Sequence, residues 1–412
     1  MFCILDESVH FETMNGQNML QVREVGSDTK LAVLTAPFSL ENEESDSKYR
    51  APNLIQRILS LLSSVRPGSD LTRLQLPPQF NIPKSQLQCY GESLYSTNSD
   101  MLTKCSNEET PLGRFVSVVA WSISTLRPLP FGLAPYNPIL GETHHVSRGT
   151  LNVLLEQVSH HPPVTALQAT DDKNNIEMIW CQSPLPRFHG TYIETEVHGE
   201  RRLNILDKRE TYTMNSPKLV IRFFPLPGVD WLGNVKIRCE ESGIEAELCY
   251  RGNSFLPRPS IHRSVKGKIF MSSTSKTVYE VSGHWDRTVI LKDVSTRKTT
   301  TIYDAKEALH RLKTPIVKDP KAVLESESSV VWGEVSEAIL EKSWGKAKEI
   351  KTCIEEKQRE AARERKSRQK QDEEEEEDYI PKYFTVSHSK ENGWSCLPNN
   401  KLVPTAPIVV ND

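Results

Sequence analysis

The sequence predicts an α+β fold that is mainly β: a large, antiparallel, nearly closed β-barrel, with a short helical segment before it and C-terminal helices after it. Three observations predict it. Ten short runs of strand character follow one another from Ile176 to Tyr303, many separated by turn residues such as His198-Gly199, Ser242-Gly243 and Gly252-Asn253. Two of them alternate plainly: Val235, Ile237 and Cys239 against Lys236 and Arg238, and Ile244, Ala246, Leu248 and Tyr250 against Glu245 and Glu247. Such strands have one wet and one apolar face, and so many with short connections are most economically closed on themselves. On either side of this region the apolar spacing becomes helical.

Taken in order, residues 1–50 mix short apolar pieces with the acidic run Glu41 to Ser47 and read as a partly disordered leader. Leu54, Ile58, Leu61, Leu62 and Val65 then recur at helical spacing between Pro52 and Pro67-Gly68, with Ile55 and Leu59 widening the apolar face. Residues 71–140 are punctuated by proline and mostly helical or irregular, Gly113 to Thr125 being the most convincing helix. The barrel is expected over 150–304 and the C-terminal helices over 328–371, loosened near Gly345. The tail, 385–412, reads as irregular.

At 412 residues the chain can bury a large core, because closed β architectures often pass 200 residues as one unit. The net charge of −3, from 51 basic and 54 acidic residues, makes no general case for nucleic-acid binding. No C-x-x-C spacing occurs among the eight cysteines, which read as reduced thiols of a cytosolic protein. The first residues do not form a signal peptide, and no stretch approaches 18 apolar residues, so any membrane contact is peripheral.

The most informative stretch is Glu156-Gln157-Val158-Ser159-His160-His161-Pro162-Pro163, which follows the apolar run Leu151 to Leu155. Side chains alternate along a regular strand, so His160 and His161 could not serve one ligand there. The double proline breaks that regularity and lets both imidazoles turn to one mouth. His144-His145 adds no paired metal spacing, and no metal or cofactor is expected. Two imidazoles without a metal suit an anion such as phosphate. Further on, Lys351, Glu355 and Arg359 stand at i, i+4 and i+8, on one helix face spanning roughly 12 Å.

EQVSHHPP resembles the signature of the oxysterol-binding-protein-related family of lipid-binding and transfer proteins. Asn137-Pro138-Ile139-Leu140-Gly141-Glu142 resembles its second motif, and Ile354 to Glu360 its C-terminal helix. The likeness runs from about Leu54 to about Phe384 and is nearest to short plant members. It implies a lipid-binding domain over 51–384, with the barrel enclosing a lipid tunnel and the helix at 51–68 (Leu54, Ile58, Leu61, Leu62, Val65) acting as its lid. It also implies a headgroup site of His160, His161, Asn137, Lys351, Glu355 and Arg359. From the residues alone, that helix could equally be packed on the core, and the barrel could be filled.

One departure bears on the ligand. Where the family commonly has a lysine that grips a phosphate, this chain has Ala134, in Ala134-Pro135-Tyr136-Asn137-Pro138. Losing one charge-assisted hydrogen bond, worth about 1.5 to 3 kcal/mol, weakens binding roughly ten- to a hundredfold. Arg127 and Arg148 are candidate substitutes. Thr301 to Glu307 partly imitates an acidic-tract peptide that binds endoplasmic-reticulum receptor proteins, but it falls at the end of a predicted strand.

The expectation is therefore a non-enzymatic, monomeric, cytoplasmic carrier of sterol or phospholipid. It would contact membranes peripherally, with endoplasmic-reticulum membrane proteins as further candidate partners and no nucleic acid. Its rivals are a membrane-contact scaffold or lipid sensor and, less favoured, an esterase using Ser159, His160 and Glu156.

Overall fold

The computed structural model describes residues 10–14, 17–25, 30–40, 51–98, 100–252, 262–369, 379–391 and 393–411. Its centre is a 16-stranded sheet that starts at Thr143 and has the strand Thr299–Asp304 at one end of its path and Ile316–Val317 at the other. These end strands do not pair with one another, so the path stays open. All pairings in this sheet are antiparallel except one, that of Ile408–Val410 with Thr143–Arg148. The predicted alternation is realised as register: Val235 lies opposite Leu248, Ile237 opposite Ala246 and Cys239 opposite Ile244, all six buried.

Among the described residues, eight α-helices complete the fold. They are α1 (Leu54–Leu62), α2 (Gln86–Tyr95), α3 (Met101–Asn107), α4 (Pro111–Ser124), α5 (Ala305–Leu309), α6 (Ser328–Val331), α7 (Gly333–Leu340) and α8 (Trp344–Gln369). Local chemistry explains several starts. Ser85 and Gln88 form a capping box at α2, and Thr110 caps α4, with Pro111 at the first helical position. Helix α4 buries Phe115, Val118, Val119 and Ile123 in the same apolar cluster as the inner face of the sheet. The sheet therefore encloses packed helix as well as cavity, which sequence alone left open. The break before α8 falls at Glu341 to Ser343, two residues before Gly345.

Three expectations are corrected. Over its described residues the leader is a sheet of three antiparallel strands, His10–Met14, Gln17–Val25 and Lys30–Thr35; the acidic run at 41–50 lies outside them. Ala32, Val33 and Leu34 are buried, and the strand lies so close to α7 that a Cβ on Gly333 would stand 1.9 Å from the Leu31 carbonyl oxygen. That burial, which needs a helix three hundred residues later, is invisible locally.

The tail is likewise ordered. Phe384–Ser389 and Gly393–Pro398 form a hairpin on the main sheet, and Ile408–Val410 joins the sheet itself. The sulfurs of Cys181 and Cys396 are joined as a disulfide, contrary to the expectation of eight thiols. The acidic run Asp372 to Asp378 lies outside the described residues.

Candidate functional site

The strand Leu151–His160 and its partner Pro163–Asp171 form a tight hairpin across the cis peptide His161–Pro162. Ser159 Oγ donates to the Pro162 carbonyl at 2.8 Å, and the register slips between Gln157 and Ser159. A slip of this kind defeats the alternation of side chains. The result is that the rings of His160 and His161 lie with centroids 4.5 Å apart. The Nδ1–H of His160 donates to the Pro138 carbonyl at 2.9 Å. Burial pushes the His160 pKa below its ordinary 6.5, against the opposing pull of that carbonyl and of Glu355.

The neighbouring motif is docked by two buried carboxylates. Glu142 accepts from Ser85 Oγ, from Ser328 Oγ at 2.7 Å, from Trp332 Nε1 at 2.9 Å and from the Ile139 amide at 3.0 Å. Burial raises its pKa despite these donors. The Gly141 amide donates to the Gln157 carbonyl and the Gln157 amide to the Glu142 carbonyl, both at 2.9 Å, so the loop after Asn137 is laced to the histidine strand. Glu156 holds the tail: it accepts from Tyr379 Oη and the Lys382 amide at 2.8 Å and from the Tyr383 amide at 2.9 Å.

Helix α8 crosses the mouth of this arrangement, seated by Trp344, Ile350 and Ile354 on a cluster containing Tyr136 and Trp332. Lys351, only 5% exposed, donates to the Leu76 carbonyl at 2.9 Å and pairs with Glu355. Arg359 does not continue that ladder. It stands 3.9 Å from Glu356 instead.

One open pocket of about 360 Å³ is lined by His160, His161, Asn137, Lys351, Glu355 and Arg359 together. Arg73 and Arg363 line it too, and sequence reasoning missed both. The two arginines proposed to offset Ala134 lie elsewhere. Arg127 donates to the carbonyls of Ser124, Glu92 and Ser96, and Arg148 to those of Tyr95 and Thr97. Both are spent on helix ends and turns.

A second cavity, of about 100 Å³, lies between α2, the end of α4 and the sheet, lined by Phe38, Tyr90, Trp180, Gln182, Arg201 and Trp231 among others. Trp180 Nε1 and Arg201 Nε are buried here without a hydrogen-bond partner among the described residues. Burial lowers the Arg201 pKa to about 10, and its guanidinium carbon stands 5.4 Å over the Trp180 ring.

Phe38 also belongs to the cluster under α1, where Leu54, Ile58 and Leu62 are buried, with Leu61 and Val65 partly so. Gly132, at φ +76°, sits against this face; a Cβ there would meet Ile58 Cδ1 at 2.7 Å. Ile55 and Leu59, expected to widen the buried stripe, are instead 47% and 54% exposed, because they lie one residue round the helix from it.

Residues 60–338 match the family model described as oxysterol-binding protein. The chain belongs to the oxysterol-binding protein family. It is 52% identical over 384 residues to oxysterol-binding protein-related protein 4C of Arabidopsis thaliana, covering 92% of this chain and 99% of that one. Protein 4B of the same plant is 50% identical, covering 92% and 98%.

Among solved structures, the Osh1 ORD domain in complex with cholesterol superposes with a TM-score of 0.69, at 20% identity, covering 92% of each chain. The Osh3 ORD in complex with PI(4)P from Saccharomyces cerevisiae gives 0.64 at 20% identity, covering 89% of this chain and 94% of that one. At such identities the likeness establishes the fold. Of the residues of the esterase rival, Glu156 accepts hydrogen bonds from the tail and Ser159 Oγ donates to the Pro162 carbonyl.

Proposed function

We propose that this protein carries one lipid at a time, taking sterol and an anionic phospholipid such as phosphatidylinositol 4-phosphate in exchange, from the cytoplasmic side of membranes. The observation that carries this reading is the gathering of His160, His161, Lys351, Arg359, Arg73 and Arg363 around one open pocket that holds Glu355 as its one acid. Such a cluster suits a phosphate, which accepts charge-assisted hydrogen bonds from several directions. Arg73 and Arg363 supply cations where the family lysine is replaced by Ala134.

The second cavity supports the second half. A buried donor without a partner costs about 1 to 3 kcal/mol. A cargo with an oxygen at its buried end, such as a sterol hydroxyl, meets the polar side chains of Gln182 and Arg201 in the cavity lining better than one that ends in acyl chains. Loading needs α1 to open. The outer face of α1 shows Ile55 and Leu59, and the loop after Arg222 shows Phe224 and Leu226, all exposed, which suits contact with a bilayer. There a departing lipid has an equally apolar destination. The described residues include no helix long and apolar enough to cross a membrane.

The test is extraction of labelled sterol, phosphatidylserine and phosphatidylinositol 4-phosphate from liposomes, wild type against His160→Ala/His161→Ala. Loss of two charge-assisted contacts is expected to cut phosphoinositide extraction at least about a hundredfold, with sterol uptake retained. If wild type extracts no lipid but is still recruited to membranes, the protein is a scaffold and the reading fails.

A further inference from the structure

We propose that the groove between the strand Thr299–Asp304 and helix α4 binds an extended, basic peptide segment of a partner protein, which adds to the main sheet as one more strand. The groove holds about 600 Å³ and lies away from the headgroup pocket, with which it shares no residue. One wall is the sheet's end strand; the other is α3 and α4, through Met101, Leu112, Val116 and Ala120.

The two ends of the sheet are finished differently. At the far end, Val317 has both backbone groups met by side chains of the strand Gln17–Val25: its amide donates to Gln21 Oε1 and its carbonyl accepts from Arg23 Nη1, each at 2.8 Å. At the groove end, no described strand pairs with the outer edge of Thr299–Asp304, and Thr299, Thr300 and Thr301 are exposed one after another, whereas Tyr303 is buried. Edge strands are ordinarily guarded by charge, proline or cover, because their free amides and carbonyls recruit another strand. Between Lys298 and Asp304 this edge carries neither charge nor proline.

Charge selects the occupant. Asp100, Glu108, Asp293, Asp304 and Glu307 line the groove against Lys104 and Lys298. Asp100, Asp293 and Asp304 are engaged with nearby backbone amides, whereas Glu108 and Glu307 have no ion-pair partner among the described residues. An apolar floor under an acidic rim suits a strand alternating apolar and basic side chains, the apolar set going down and the basic set out. Thr301 to Glu307, which resembles a receptor-binding peptide in sequence, is thus a wall of the groove: its first residues belong to the end strand and its last to α5.

The probe is a fluorescent synthetic peptide alternating valine with lysine and arginine, titrated into the full chain by anisotropy. Beside it go the same peptide with acids for bases and one with a central proline. The basic peptide is expected to bind, more tightly at low salt, and the two controls to bind at least about tenfold more weakly. Glu108→Lys/Glu307→Lys should weaken it at least about tenfold while leaving lipid extraction and thermal stability at wild-type values. Amide exchange over Thr299–Asp304 should slow only when the basic peptide is present. Equal binding of the acidic peptide, an unaffected double variant, or unaltered exchange would overturn the proposal. So would a self-associating wild type that the double variant renders monomeric, since the groove would then belong to a second copy.

Discussion

Burial sets the resting state of His160. With Nδ1–H given to the Pro138 carbonyl and its pKa held below 6.5, the ring is neutral at neutral pH and offers Nε2 as its remaining polar atom. Protonation improves it as a phosphate donor, so phosphoinositide affinity is expected to rise as pH falls through the depressed pKa. Stability runs the other way. The unfolded chain protonates first, near 6.5, so below that pH it binds more protons than the fold and the lipid-free protein loses stability. Urea midpoints between pH 7.5 and 5.5, with and without a soluble inositol phosphate, check both signs; a flat profile would remove His160 from the titration. The histidines and Lys351 were legible because an unusual octapeptide and a helical spacing advertise them. Glu142 and Arg73 were not, since a carboxylate answering Ser85, Ser328 and Trp332 has meaning only after distant segments meet.

At the level of elements, α1 is set apart by how it is held. It has nine residues, no side-chain cap at its start and no acid in its first turn. Helices this short are marginal unless packed. Its place therefore rests on Leu54, Ile58 and Leu62, and an element so held opens without unfolding the rest. Ile58→Ala should cost about 2 kcal/mol, the low end for such a deletion, or roughly thirtyfold in the opening equilibrium. Amide exchange over Leu54–Leu62 should quicken accordingly while the global thermal midpoint barely moves. If the midpoint falls and local exchange is unchanged, the helix is core and not a lid, a choice its spacing alone left open. Its apolar stripe was legible; the outward turn of Ile55 and Leu59 was not, because seven apolar positions exceed what one buried face accepts.

For the molecule as a whole, the alternation in the middle of the chain was enough to read a mainly antiparallel sheet, and turn residues marked most of its strands. What escaped was every pairing across long sequence separation: the first strands on α7, the tail hairpin on the histidine strand, and Ile408–Val410 beside Thr143–Arg148. Short strands in proline-rich tails carry too little periodicity to declare themselves. Removing residues 406–412 deletes the buried side chains of Ala406, Ile408 and Val410. A loss of about 3 to 6 kcal/mol is expected, a large share of an ordinary domain's stability, read as the drop in urea midpoint. A truncated chain unfolding where wild type does would make that strand an appendage. The position of this strand also orders events in time. Ile408–Val410 lies between Thr143–Arg148 and Ile316–Val317, so during synthesis the sheet cannot be finished until residues 408–410 have emerged from the ribosome. Until then the nascent protein waits with two strand edges exposed, and the arrival of Ile408–Val410, rather than of any earlier motif, is the moment at which the sheet can be completed.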